Sequence, residues 1–439
     1  MELTLVSPRM RVFVLVWLGQ LVSLVGSALT SFALGLWVYE QTHSVTHFAL
    51  TLFFRTLPVI LLSPIAGALV DRWDKRRVMI FSDLGAAVAS VVVAALLFTG
   101  RLEVWHIYAA AALSAACGAF QVPAYQAAST LLVSKEQLGR ANGLVQTAQA
   151  AAEIAAPLLA GVLVVAIRIQ GILLIDVVTF LVSVTTLLLV RFPQVPRKTT
   201  APLSRATLTR ELGEAARYIL TRPGLVALTL FFAVVAFQGG LIVALVQPMV
   251  LSFTTPDVLG LILSGGGFGV LLGSLVLSAW GGPQRRTKGI MAFLFLFGGG
   301  ILLIGAQPSA LLVALGVFSA HFCAPFINGL NQAIWQTKVA VNVQGRVFAL
   351  RQMVVQLTQL VAFVIAGPLA DTVFGPLLAP GGAWADSLGQ LIGVGAERGA
   401  AVVFLLMGLT VLTTAIGGAL YRPLQQVETT LPDVIAVGD

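Results

Sequence analysis

Apolar residues arrive in this chain in stretches too long for the core of a water-soluble domain, and that sets the solvent in which it folds. About twelve such stretches, most of roughly 20 residues or more, run near 12–38, 47–70, 78–99, 104–132, 138–167, 171–190, 223–251, 257–280, 289–306, 309–336, 343–372 and 399–421. Roughly 20 helical residues cross the hydrocarbon of a bilayer, and a helix satisfies its own backbone polar groups where water is absent. A membrane barrel would instead show short segments of alternating polarity, and none stands in the sequence. Charged residues make up 10% of 439 positions, against about a quarter in soluble chains. The expected fold is an all-α integral membrane protein with twelve transmembrane helices.

The net charge of +8 would suit a nucleic-acid partner only if it gathered on one soluble surface. Instead, Lys and Arg fall almost entirely in alternate intervals. These hold Arg9 and Arg11; Arg72, Lys75, Arg76 and Arg77; Lys135 and Arg140; the long central interval; Arg285, Arg286 and Lys288; Lys338, Arg346 and Arg351; and Arg422. The other intervals hold only Arg101, Arg168 and Arg398, and Arg55 lies inside a span. Basic loops mark the cytoplasmic side. Both termini are therefore expected in the cytoplasm of a bacterium, with the chain passing many times through its plasma (inner) membrane. The lipid bilayer is a partner and nucleic acid is not. The first apolar stretch is too long for a cleavable leader and is read as a retained span.

The one long polar interval, 192–222, opens with Pro193, Pro196 and Pro202 and then turns amphipathic. Leu208, Leu212, Ala215 and Ile219 share one helical face, while Arg205, Arg210, Glu211, Glu214 and Arg217 take the others. It is expected to be a cytoplasmic linker with a surface helix. It joins a six-helix half at 1–191 to another at 223–421, with a tail over 422–439. The halves echo one another. Gly139-Arg140-Ala141-Asn142-Gly143-Leu144 returns as Gly345-Arg346-Val347-Phe348-Ala349-Leu350, and Pro123 as Pro325. Ala156-Pro157-Leu158-Leu159-Ala160-Gly161 returns as Gly367-Pro368-Leu369-Ala370-Asp371. Halves in the same orientation are parallel repeats about an axis along the membrane normal.

Between the second and third spans stands Gly67-Ala68-Leu69-Val70-Asp71-Arg72-Trp73-Asp74-Lys75-Arg76-Arg77, with six charges in the seven residues from Asp71. A fainter copy, Trp280-Gly281-Gly282-Pro283-Gln284-Arg285-Arg286, has kept only basic residues. The first segment resembles the loop signature of the major facilitator superfamily. With Asp83, Gly139-Arg140-Ala141-Asn142-Gly143, Ile175-Asp176-x-x-Thr179-Phe180 and Gln344-Gly345-Arg346-Val347-Phe348, nearly the whole chain resembles one branch of it, that of the enterobactin exporter and macrolide efflux proteins. The resemblance implies two six-helix pseudo-repeats, alternating access, no enzymatic activity and no cofactor. It also implies a cytoplasmic latch involving Gly67, Asp71, Arg72, Lys75, Arg76, Arg77, Asp83, Arg140 and Arg346. An acid at Asp71 can accept hydrogen bonds from a facing helix N-terminus. Asp83, near the cytoplasmic end of its span, is assigned to the same network. Two positions depart from the family pattern: Asp74 stands where a glycine is usual, and the antiporter Gly-Pro motif is reduced to Ala156-Pro157-x-x-x-Gly161.

A charge inside a span costs about 2.5–3.5 kcal/mol, so those present are candidates for function. Glu153 lies 13 residues beyond Arg140, about 20 Å along a helix. It reads either as a proton-coupling carboxylate or as half of a structural ion pair. Arg55 lies at comparable depth, and the sequence leaves its partner open between Glu153 and Asp176.

By the resemblance, polar residues on spans one, four, seven and ten line a cavity: Gln20, Gln121, Tyr125, Gln126, Gln238, Asn328, Asn331, Gln332 and Trp335. Gln149 on the fifth span and Gln356 on the eleventh join them. Neutral amides with aromatics suit a large amphipathic ligand, whereas interhelical hydrogen bonding is the alternative role for each. The expected activity is proton-coupled export, by a monomer, of an amphipathic drug, siderophore or natural product. The alternative is translocation of a lipid or lysophospholipid on the same fold. The two cysteines and four histidines show no metal-ligand spacing. Gly265, Gly269 and Gly273 recur at the small-residue spacing for close helix packing, and no Gly-Lys-Ser/Thr follows them to make a nucleotide loop.

Overall fold

The computed structural model describes residues 8–133, 137–190, 192 and 205–430. Lys135, the three linker prolines and residues 431–439 fall outside it, as do the side chains of Asp71 and of residues 205–212.

All regular structure among the described residues is helical. The first half contains α1 (Pro8–Thr42), α2 (Val45–Arg72), α3 (Lys75–Phe98), α4 (Val104–Leu132) and α5 (Leu138–Leu189), and the linker contains α6 (Arg205–Leu220). The second half begins with α7 (Pro223–Leu251), α8 (Pro256–Trp280), α9 (Arg286–Ala306), α10 (Ala310–Lys338) and α11 (Val341–Pro368). A π-helical turn, Leu369–Phe374, leads into the short helices α12 (Gly375–Leu378) and α13 (Leu388–Ile392) and a 3-10 turn, Ala396–Arg398. The long α14 (Gly399–Leu420) follows, then α15 (Arg422–Gln425) and α16 (Val427–Thr430).

Eleven of the described helices are long and apolar enough to cross a bilayer. α5 accounts for two crossings. Its 52 residues would extend about 78 Å as one rod, more than twice the roughly 30 Å hydrocarbon layer. It breaks at Arg168, whose φ of 57° and ψ of 178° no helix contains. The two arms flank this one residue and give twelve spans in all. Local chemistry sets several other boundaries. Asp74 accepts the Arg77 N–H at 2.8 Å and caps α3, and Pro223 and Pro256 open α7 and α8. Gly281 ends α8 in the left-handed region, φ 77°.

By its internal contacts the chain forms two compact units. The first comprises Met1–His43, Leu50–Ala201 and Pro256–Ser264. Its core packs Met10, Phe13, Val70, Met79, Ala124, Ala128, Ala141 and Leu187 at the end that carries the 71–77 loop. The alanines let helices approach closely where lipid supplies no hydrophobic drive. The first turns of α8 lie on α5 beside Pro157 and Gly161. A Cβ on Gly161 would stand 2.5 Å from the Pro256 carbonyl oxygen, so the reduced Gly-Pro motif serves here as a helix crossing.

The second unit comprises Ser44–Ala49, Pro202–Thr255 and Gly265–Asp439. A Cβ on Gly269 would lie 2.8 Å from the Phe318 carbonyl oxygen, and one on Gly273 would overlap that of Phe322. The four-residue glycine spacing thus brings α8 against α10, although Gly265 has no such neighbour. In α6, Ala215 and Ile219 are buried as the amphipathic pattern predicts. Outside both cores, large apolar side chains point away from the protein; Phe81 and Leu189 are 71% and 72% exposed. Only a bilayer makes such a surface stable.

Candidate functional site

The loop after α2 is pinned within the first unit. Arg76 lays its planar fork across the end of α5, donating from Nε to the Leu187 carbonyl and from Nη2 to that of Leu188, both at 2.7 Å. Those carbonyls are among the last four of α5, which have no partner inside the helix. Lys75 Nζ donates to the Trp73 carbonyl at 3.2 Å, and Trp73 stacks on Phe120 with centroids 6.3 Å apart. Arg72, Arg77 and Arg140 are exposed, while Gly67 is half-buried. Arg346 pairs with Glu214 of α6 at 2.8 Å. With side chains 43% and 48% exposed, that pair contributes less than about 1 kcal/mol.

The second-half copy of the loop recovers its missing acid from the tail. Glu428 Oε1 accepts the Arg286 N–H at 3.1 Å, and Oε2 accepts the Thr287 N–H at 3.0 Å and its hydroxyl at 2.8 Å. Lys338 Nζ donates to the Glu428 backbone carbonyl. So α9 is capped by a residue far along the chain, whereas α3 is capped by its own neighbour Asp74.

Among the described residues, Asp83 bonds to none of the loop-signature side chains. It is 4% exposed and holds a cluster of neutral side chains from three helices. Oδ2 accepts Ser183 Oγ–H of α5 at 2.7 Å and Gln20 Nε2–H of α1 at 3.2 Å, and Oδ1 accepts Gln121 Nε2–H of α4 at 2.9 Å. Gln20 Nε2 also donates to Ser183 Oγ, and Gln121 Nε2 to Gln20 Oε1. Gln20 and Gln121 are thus tied to a buried acid. The Gln121 Oε1 is buried with no partner among the described residues.

Asp176 forms a second buried acid site, 1% exposed, accepting Ser90 Oγ–H at 2.7 Å and Ser27 Oγ–H at 3.4 Å. Arg55 pairs with neither acid offered for it. Glu153 is exposed on α5, and among the described residues neither it nor Arg55 makes an ion pair or side-chain hydrogen bond.

In the second unit Gln332 and Trp335 meet Arg351, which the sequence had assigned to a loop. Arg351 lies inside α11 and donates from Nη2 to Gln332 Oε1. Its guanidinium sits 5.4 Å from the Trp335 ring and 5.5 Å from that of Phe348, within cation–π range. Trp335 is fully buried, and Asn331 and Gln238 are 6% and 4% exposed. The Trp335 Nε1, Asn331 Oδ1, Gln238 Oε1 and, in the first unit, Tyr125 hydroxyl are buried without partners among the described residues. Gln126, Gln149 and Asn328 are exposed, and Gln356 is half-buried. Arg398, read from sequence as a loop charge, is 3% exposed and donates from Nε to the Ile392 carbonyl at 2.7 Å. Among the described residues no group of three His, Cys, Asp or Glu side chains is placed to hold a metal.

Comparison with known proteins places this architecture. The chain is 28% identical over 370 residues to macrolide efflux protein A of Streptococcus pyogenes, covering 82% of this chain and 90% of that one. It is 30% identical over 305 residues to macrolide efflux protein A of Enterococcus faecalis, covering 69% and 94%. Its fold matches the crystal structure of a bacterial homologue of the human lysosomal transporter Spinster, with a TM-score of 0.70 at 12% identity over 94% of this chain and 97% of that one. The sequence pattern of the Major Facilitator Superfamily matches residues 16–363. The chain belongs to that superfamily of transporters.

Proposed function

We propose that this protein is a proton-coupled exporter of bulky amphipathic compounds, of the kind named for its macrolide-efflux relatives. It works by alternating access as a monomer, with both termini in the cytoplasm. The observation that carries the reading is the Asp83 cluster. An ionised Asp83 accepts three hydrogen bonds while Gln121 Oε1 goes without a donor. A proton on Asp83 turns one acceptor oxygen into a donor. A flip of the Gln121 amide then gives that donor an acceptor. The Asp83 carboxyl therefore keeps hydrogen-bond partners whether it holds or releases the proton. Each change also alters how α1, α4 and α5 are tied together, which couples the proton to helix position. Tyr125 follows Gln121 by one turn on α4, so the proton site and the expected cavity wall share a helix face.

The test is dye transport in proteoliposomes. Asp83→Asn keeps the size and hydrogen bonding of the proton-bearing form. It is expected to retain dye counterflow at equal pH but to lose at least about tenfold of the acceleration given by an imposed pH gradient, a change of roughly 1.4 kcal/mol or more. Glu153→Gln is expected to keep both. Full gradient dependence in Asp83→Asn would show that this acid does not carry the proton. Movement of a fluorescent lysophospholipid without movement of dye would replace the substrate half of the reading.

A further inference from the structure

The spacing Gly-x-x-x-Asp closes two long helices of this chain. On α2 it is Gly67 to Asp71; at the end of α11 and its π-helical turn it is Gly367 to Asp371. α2, which starts at one of these sites and carries Asp71 at its other end, is 28 residues long, about 40 Å of helix.

Asp371 holds the start of α2. Its Oδ2 accepts Ser44 Oγ–H at 2.7 Å, Thr46 N–H at 2.8 Å and Thr46 Oγ1–H at 2.8 Å, and its Oδ1 accepts Val45 N–H at 3.1 Å. The rest of the first turn is satisfied locally, with His47 N–H on Ser44 Oγ at 3.4 Å and Phe48 N–H on the Ser44 carbonyl at 3.3 Å. No first-turn amide of α2 is left over. The approach is close enough to require glycine at 367, where a Cβ would overlap the Thr46 backbone. All of these residues belong to the second compact unit, although the rest of α2 belongs to the first. The short segment Ser44–Ala49 is thus held by α11 rather than by its own helix's neighbours.

We propose that Gly367 and Asp371 form a gate latch at the end of the transporter opposite the Asp71 loop. A carboxylate on the π-helical turn after α11 grips the N-terminus of α2 and must release it for that end to open. Rupture exposes two backbone amides, two hydroxyls and an anion to water together, so the latch has two discrete states. This rests on the alternating-access reading, but its test needs neither substrate nor proton.

Nitroxide labels are placed on a cysteine-free background at Gln41 and Val373, beside the latch, and in a second sample at Trp73 and Ala349, toward the other ends of α2 and α11. Distances are measured by pulsed dipolar spectroscopy in lipid nanodiscs. Asp371→Asn is expected to move the first pair toward longer distances by about tenfold in population ratio, and the second toward shorter ones. Thr46→Val, which removes one bond and spares the helix start, moves both in the same directions by about threefold. It carries the test if Asp371→Asn fails to fold. Unchanged populations overturn the latch. So does lengthening of the first pair alone, because a merely local cap frays without moving the far end.

Discussion

Replacing Glu428 by Ala should loosen the second unit and leave the first intact. The carboxylate accepts three hydrogen bonds at the start of α9. Thr287, which donates two of them, is only 5% exposed. Water therefore cannot take over both donors. An unmet buried polar group costs about 1–3 kcal/mol, and loss of a negative charge at a helix N-terminus about 0.3–1 kcal/mol more. These contributions overlap, and the Arg286 amide is better solvated, so the expected loss is about 2–4 kcal/mol. The Lys338 bond to the Glu428 backbone carbonyl survives the substitution, which isolates the carboxylate. The native cysteines supply the assay. Cys323 of α10 is fully buried in the second unit, and Cys117 of α4 lies in the first. Thiol-reactive dye uptake on heating, in single-cysteine backgrounds, reads each unit separately. At roughly 2–4 °C per kcal/mol, the Cys323 transition should fall by about 5–15 °C while that of Cys117 stays put. Glu428→Gln keeps an acceptor and should recover about half. If the two transitions fall together, or that of Cys323 stays within about 2 °C, the tail does not secure the second unit.

Two further outcomes follow from the packing. Arg76→Ala should lower the Cys117 transition through loss of about 1–2 kcal/mol, and Arg76→Lys should recover less than half, because an ammonium cannot span two carbonyls as the fork does. Equal stability of the two variants would show that charge alone matters there. Gly273→Leu places a side chain where the Phe322 carbonyl lies and should part α8 from α10, costing about 1–3 kcal/mol or more and lowering yield of folded protein on size-exclusion chromatography. A monodisperse Gly273→Leu with an unchanged Cys323 transition would refute the tight crossing.

The spans were legible because a bilayer demands about 20 apolar residues whatever the neighbours do. The break between the fifth and sixth spans was legible for the same reason, since Arg168 is the charge that interrupts them. What pairs with what was not legible. Asp83 reads as part of the loop network because it lies near the cytoplasmic end of its span, but its partners Gln20, Gln121 and Ser183 come from distant parts of the chain. Three amphipathic-looking positions on three helices carry no mark of meeting. Arg351 had a signal that was misread: it lies well inside an apolar stretch, yet counting it with the basic loop hid its approach to Trp335 and Gln332. The latch acid Asp371 was visible only as part of a repeat. The four donors it serves stand more than 320 residues earlier.

The non-helical residue Arg168, which breaks α5, also decides where this protein can be handled. Two spans meet there with no loop between them, so this turn offers no slack for an inserted epitope, a protease site or a glycan. Any insertion must either extend a membrane helix or break one. Reporters meant for that face are better carried by the 376–398 connection of the second half, where short helices and turns already interrupt the chain.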